Sequence, residues 1–201
     1  MKPESVPPPR TGSPGADGTR EARLGDEAWF DQIYAGEFAF VWRCLRSLGV
    51  RDSDLDDAAQ EVFVTVHRRL PSFRADAAIR TWLFGIVRNV AFKQRRRRAR
   101  KPTEPTDAAT PDVPAPGPTP LERAQEREAA AFVSAFLAKQ NDKKREVFVL
   151  AVLEEMSIPD VAGALSIPLN TAYTRLRSVR ADFQRALMRQ AREATNREGK
   201  P

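Results

Sequence analysis

Apolar residues recur along this chain at helical intervals, in separated stretches. Phe30, Ile33, Val41, Leu45 and Leu48 follow steps that keep to one side of a helix, and Gly49 is a natural stop. Leu55, Ala59, Val62, Val66 and Leu70 form a second stripe, ended by Pro71. Ile79, Trp82, Leu83, Ile86, Val87 and Val90 mark a third. No stretch of useful length alternates with the period of two that a half-buried strand requires. The pattern predicts an all-α protein.

Further along, Ser157 is suited to cap a helix, Pro159 fits its first turn, and Asp160 complements the positive helix end. Val161 and Leu165 pack inward from that short helix. Ser166, Ile167, Pro168 and Leu169 break it, and a longer helix starts near Asn170. Short helix, tight break and long helix are the layout of a helix-turn-helix unit. The longer helix is expected to bury Ala172, Leu176, Val179, Phe183 and Leu187. At about 100° per residue, Asn170, Thr174, Arg177 and Ser178 then face outward, with Thr171 near the edge. Arginine can fork onto guanine and asparagine onto adenine, so this is a surface able to read bases. Tyr173, Arg175 and Arg180 flank it, where phosphate contacts would fix register. Asp182 lies further along and towards the flank. A merely solvated amphipathic helix presents the same kind of polar face, but seldom one so poor in carboxylates.

Proline divides the chain. Residues 1–24 hold five prolines and little apolar material, which predicts a disordered tail. Between 102 and 120 stand seven prolines, three carboxylates and no lysine or arginine, which predicts an extended tether. Two small helical domains are therefore expected, at 25–101 and 121–188, with a polar tail over 189–201.

Length and composition narrow the function. A chain of 201 residues with 41% hydrophobic residues can build one or two small cores. Lys and Arg number 33 against 27 Asp and Glu, a net charge of +6, and the excess is concentrated locally, which points to a polyanionic partner. The one cysteine, Cys44, stands in an apolar run and reads as a small buried hydrophobe. The one histidine, His67, excludes clustered histidine metal sites and makes a histidine-based triad implausible. No apolar signal core follows the amino terminus, and no stretch approaches the ~18 apolar residues of a membrane span, so a soluble cytoplasmic protein is expected.

Two oppositely charged surfaces stand out in the first domain. Asp52, Asp54, Asp56, Asp57 and Glu61 cluster at the start of the second stripe, and Asp57, Gln60, Glu61 and Val64 project opposite its buried side. A valine exposed among carboxylates fits docking to a basic protein surface. An acidic helix start is also favourable to the helix dipole by itself. The third stripe carries Arg80, Trp82, Arg88 and Asn89 and runs into Lys93, Arg95, Arg96, Arg97, Arg98, Arg100 and Lys101, seven cations in nine positions. That density exceeds what one helix end requires and fits phosphate binding. Phe73 and Trp82 could stack on unpaired bases or pack into the core.

These residues resemble a known family. DLDDAAQEVFVTVHRRLPSF (54–73) resembles the polymerase-binding part of sigma region two, and IRTWLFGIVRNVAFKQRRRR (79–98) the promoter-melting and minus-ten-reading parts. REVFVLAVLEEMSIPDVAGALSIPLNTAYTRLR (145–177) resembles sigma region four, which binds the minus-thirty-five element. With only a proline-rich tether between them, the chain is similar to extracytoplasmic-function (ECF) sigma factors. The resemblance implies a non-catalytic, cofactor-free specificity subunit whose partners are core RNA polymerase (the β′ clamp helices and the β flap), promoter DNA and an anti-sigma factor, with no small-molecule substrate. It implies polymerase contacts at Asp54, Asp57, Gln60, Glu61 and Val64. It implies minus-ten contacts at Phe73, Arg74, Ala75, Asp76, Arg80, Trp82, Arg88, Asn89, Lys93, Arg96 and Arg97, with loop 73–78 matching the one that pockets a flipped base. The minus-thirty-five set is Asn170, Thr171, Tyr173, Thr174, Arg175, Arg177, Ser178 and Arg180.

The chain departs from the family pattern in places. Ser166 and Asn170 stand where glycine is common, so Ser166 is expected to accept an unfavourable turn geometry. Gly163 lies inside the short helix, weakening it by ~1 kcal/mol. Loop 75–80 lacks the usual glycine. Two other functions compete with the family reading. A DNA-binding regulator acting alone leaves the acidic face of the first domain without a task. A nucleic-acid enzyme would need a metal cluster, a phosphate-cradling glycine loop or an activated nucleophile, and the sequence offers none.

Overall fold

The structure is a computed structural model describing residues 18–73, 78–100 and 120–198. Residues 1–17, 74–77, 101–119 and 199–201 lie outside the described residues, and with them Arg74, Ala75 and Asp76 and all of the expected tether except Pro120. The chain folds as α1 (Gly18–Ser47), α2 (Leu55–Arg69), α3 (Ile79–Arg100), α4 (Pro120–Ala138), α5 (Asp142–Phe148), α6 (Ile158–Leu165) and α7 (Leu169–Glu198). Among the described residues there is no strand, so the all-α expectation holds. None of these helices is long and apolar enough to cross a membrane.

α1 to α3 form the first module. No proline stands between Pro14 and Pro71, and α1 accordingly starts at Gly18, inside the segment expected to be a tail. It ends in a Schellman turn: the Val50 N–H donates to the Leu45 carbonyl (3.1 Å) and the Gly49 N–H to that of Arg46 (3.0 Å). Gly49 takes φ +89°, which glycine adopts without strain. Leu55, Ala59, Val62, Val66 and Leu70 are all buried, as their spacing predicts, and Pro71 turns the chain in a short 3₁₀ segment (Leu70–Ser72). α3 supplies Leu83, Phe84, Ile86, Val87, Val90 and Ala91 to the same core. Cys44 is fully buried, and burial pushes its thiol well above the ordinary range, as befits an inert core residue.

The second module is α4 to α7. Phe183 lies 5.0 Å from Phe136, 5.1 Å from Phe148 and 5.7 Å from Phe132, an aromatic knot joining α4, α5 and α7. α5 relaxes into a π-helical turn (Val149–Leu153), and Glu155 then takes φ +53°. α6 is built as its sequence predicts. The Ser157 hydroxyl accepts the Asp160 N–H (3.3 Å), and Ser166 stands in the left-handed region at φ +51°. Its Schellman bonds, Ile167 N–H to Ala162 carbonyl (3.0 Å) and Ser166 N–H to Gly163 carbonyl (3.1 Å), repeat the Gly49 turn with a residue that pays for its Cβ. α7 buries Ala172, Leu176 and Val179 and half-buries Phe183. Leu187, expected inside, is 43% exposed because α7 runs past the packed part of the module, as a helix where a polar tail was expected.

A buried arginine escaped sequence reasoning. Arg145 is 6% exposed and donates to the carbonyls of Leu137 (2.9 Å), Gln140 (3.1 Å) and Ala138 (3.4 Å), satisfying the carboxyl end of α4. The two modules are in contact: α3 packs against α6, and the buried apolar residues of both form one cluster.

Arg145→Met should destabilise the fold by about 3 kcal/mol, because the carbonyls it serves stay buried without a donor. Ser166→Gly should stabilise it by up to about 1 kcal/mol by removing the left-handed Cβ penalty. Denaturant unfolding at constant slope measures both, and opposite signs are expected.

Candidate functional site

α2 turns its buried stripe to the core and leaves a polar strip outward. Asp57 and Gln60 are exposed on it, and Val64 is 43% exposed. Asp54 sits in the 3₁₀ turn (Asp52–Asp54) that precedes α2, held by Arg51 at 2.9 Å. Glu61 is the exception. It is half-buried and turns to α3, accepting from Lys93 Nζ at 2.6 Å and Gln94 Nε2 at 3.4 Å. One residue expected to meet polymerase and one expected to meet DNA are thus partners of each other, in an exposed ion pair of a kind worth at most ~1 kcal/mol.

Beside Gln60 and Val64 opens a cleft of about 540 Å³ walled by Phe30, Tyr34, Phe38 and Phe63. Tyr34 and Phe38 are 45% and 36% exposed, and Phe63 lies 4.6 Å from Tyr34 and stacks on Phe38 at 6.0 Å. Sequence reasoning missed this aromatic wall. Its signal was available: Phe30, Tyr34 and Phe38 recur at steps of four, one face of a helix.

α3 distributes its candidate DNA residues unevenly. Phe73 and Trp82 pack on each other at 4.8 Å, with Trp29 at 5.6 Å from Phe73, and both are half-buried. Arg80 pairs with Glu37 (2.8 Å) and lies over the Phe40 ring (5.1 Å). Asn89, Lys93, Arg96 and Arg97 are exposed. Arg88 is not free: its Nε donates to Glu146 Oε1 of the second module at 2.6 Å, and the guanidinium lies over Phe92 (5.3 Å). Burial raises the Glu146 carboxyl above its ordinary pKa, against the opposing pull of Arg88.

On α7, Asn170, Tyr173, Thr174, Arg177 and Arg180 are exposed, whereas Thr171, Arg175 and Ser178 are half-buried at the edges. The Thr174 hydroxyl donates to the Asn170 carbonyl (2.9 Å), one turn back. Asp182 is drawn to α5 by Lys144 (2.6 Å), a bond that holds its carboxyl below the ordinary range, so its negative charge is compensated on the flank. The outward strip of α7 is cationic and polar, with the helix amino terminus at one end, which suits a duplex groove. Among the described residues, no cluster of His, Cys, Asp and Glu could hold a metal ion.

Comparison with known proteins agrees with this layout. Residues 34–101 match the family model for Sigma-70 region 2, and residues 137–183 that for Sigma-70, region 4. The chain is 30% identical over 163 residues to the ECF RNA polymerase sigma factor SigM of Mycobacterium tuberculosis, covering 81% of this chain and 79% of SigM. It is 29% identical over 178 residues to SigW of Bacillus subtilis, covering 84% and 94%. Among solved structures it is similar to CnrH in complex with the cytosolic domain of CnrY, with a TM-score of 0.63 and 27% identity over 84% of this chain and 94% of CnrH. The fold is shared with RpoE of Bartonella quintana, solved with the anti-sigma factor NepR, at a TM-score of 0.61 and 20% identity over 79% and 96%. Two family regions in their order, each on a helical module of the matching kind, make this chain a member of the ECF sigma factors, the proteins that direct RNA polymerase to initiate transcription at promoters.

Proposed function

We propose that the chain is a dissociable specificity subunit that binds core RNA polymerase and reads a minus-ten element with the first module and a minus-thirty-five element with the second. The observation that carries this reading is the division of exposed chemistry between the family regions. Region two contains the acidic strip of α2 and the basic end of α3, and region four contains the polar outer strip of α7.

Asp57, Gln60 and Val64, with Asp54 and Glu61 at the margins, take the β′ clamp helices of polymerase. Apolar Val64 gives buried contact area, and the surrounding carboxylates steer a basic partner. The β flap meets the second module. On DNA, the basic end of α3 with Arg96 and Arg97 neutralises phosphates, so binding weakens steeply with salt. Arg88 and Asn89 read the minus-ten element. Loop 73–78, of which Arg74, Ala75, Asp76 and Ala77 lie outside the described residues, holds a flipped base with Phe73, Arg80 and Trp82 as its other contacts. Capturing an unpaired base offsets the cost of unpairing it, so melting requires neither ATP nor catalytic chemistry in this subunit. Asn170, Thr174, Arg177 and Ser178 face base edges upstream, and Thr171, Tyr173, Arg175 and Arg180 fix register. The tether over 102–120, with carboxylates and no cations, suits a channel otherwise occupied by nucleic acid. RpoE was solved with an anti-sigma factor, and we extend a protein inhibitor of that type to this chain.

In vitro transcription from a promoter library with purified core polymerase should give selective start sites, and unselective initiation would overturn the reading. Charge reversal at Asp57 and Glu61 should abolish co-elution with core polymerase while circular dichroism stays unchanged; normal assembly would remove the docking role. Arg177→Ala should cost about 1–3 kcal/mol of discrimination at a single upstream base pair, read by competition with altered promoters.

A further inference from the structure

Helix α7 begins with a residue that neither the core nor the helix start explains. Leu169 is its first residue and is 46% exposed, at a place where a carboxylate would suit the helix dipole and a proline the first turn. Tyr173, one turn on, is 51% exposed. Steps of four set Leu169, Tyr173 and Arg177 in one row, each about 40° round from the last. Two exposed apolar surfaces thus continue the row of an arginine assigned to base edges.

We propose that Leu169 and the ring of Tyr173 seat the C5 methyl group of a thymine in the minus-thirty-five element, which makes Leu169 a specificity-determining residue of this chain. The inference rests on the assignment of α7 to that element. In the major groove the thymine methyl is an apolar feature among hydrogen-bond donors and acceptors, and apolar side chains recognise it. Helix side chains lean towards the amino end, so Leu169 extends past the first turn, at the end of α7 that enters the groove in this reading. Tyrosine has an apolar face and a polar tip. Tyr173 can therefore set its ring against the methyl and keep its hydroxyl for a phosphate, the register role given above.

The surroundings favour a duplex over an apolar protein surface. No Asp or Glu occurs from Leu169 to Ala181. Tyr173 borders a groove of about 670 Å³ with Met156, Ile158 and Leu176, and its cationic lining is Arg177 and Arg180, with no carboxylate. An apolar partner covering this patch would desolvate those guanidinium groups without compensation. Phosphates on either side of a major groove compensate them, while the methyl fills the apolar seat between. The same chemistry separates thymine from uracil, which presents the same hydrogen-bonding edge and lacks the methyl.

The test uses the full chain assembled with core polymerase, on a promoter chosen from the transcription library. Each thymine of its upstream element is replaced in turn by deoxyuridine, which removes the methyl and keeps the base pair. At one position the replacement should weaken competition for holoenzyme about fourfold, the effect of burying one methyl group. Leu169→Ala with Tyr173→Ala should erase that difference, so that thymine and deoxyuridine compete equally. Tyr173→Phe, which keeps the ring, should weaken binding to both promoters and leave the fourfold ratio between them. The proposal is overturned if no thymine responds to loss of its methyl, if the double variant keeps the full ratio, if Tyr173→Phe abolishes it, or if the element contains no A·T pair. Discrimination among upstream base pairs without any methyl dependence would sink this inference alone. A holoenzyme indifferent to every upstream base pair would bring down the minus-thirty-five reading and this one with it.

Discussion

Helix α3 has to satisfy opposite demands along one rod, and the rest of the molecule is arranged around that. Its apolar side, Leu83, Phe84, Val87 and Ala91, closes the core of the first module. Its far end is a cation run that no core could accept. Between them, Arg88 and Arg95 must find acceptors wherever the helix is covered, because a guanidinium taken from water without one costs several kcal/mol. α2 answers part of this with Glu61 on Lys93, and the second module answers the rest with Glu146 and Asp142.

This explains why charge is distributed as it is. The net excess is small, but acids and bases are concentrated on different surfaces in places. Carboxylates cluster at the start of α2 and cations at the end of α3 and along α7, while α5 sets Asp142 and Glu146 among Lys143, Lys144 and Arg145. A separated distribution creates surfaces with a sign, able to select a basic protein on one side and a polyanion on another. It also lets the chain satisfy itself, since carboxylates of the second module meet arginines of the first. The inter-module pairs Arg88–Glu146, Arg95–Asp142 and Arg43–Glu154 are the result.

The π-helical turn at Val149–Leu153 fits the same logic. It widens the end of α5, and the chain leaves it through Glu154 and a left-handed Glu155, which aims Glu154 at Arg43. Irregular backbone of this kind is uncommon and often falls at functional positions. Here it lies in the stretch that meets the first module. Gly49 is the counterpart on the other side. Its tight turn brings backbone close to Arg145 and Arg95, with Arg145 Nη1 3.6 Å from the place a Cβ would take.

The sequence by itself determined what depends on near neighbours along the chain. The stripe on α2, the Ser157 cap, the strained Ser166 turn and the polar outer strip of α7 all arise from residues three or four apart, within reach of helical periodicity and capping rules. The exposed α2 strip of Asp57, Gln60 and Val64 was legible for the same reason. Only the tertiary structure decided where long side chains end. Glu61 turned to Lys93, Arg145 went inside to serve α4, and Arg88 met Glu146 across the modules. Those outcomes join residues up to 111 positions apart, as in Arg43 and Glu154, and helical periodicity holds no information at that range. A guanidinium carries its charge at the end of a flexible stem, so its partner is set by which surfaces meet, and that is a property of packing rather than of spacing.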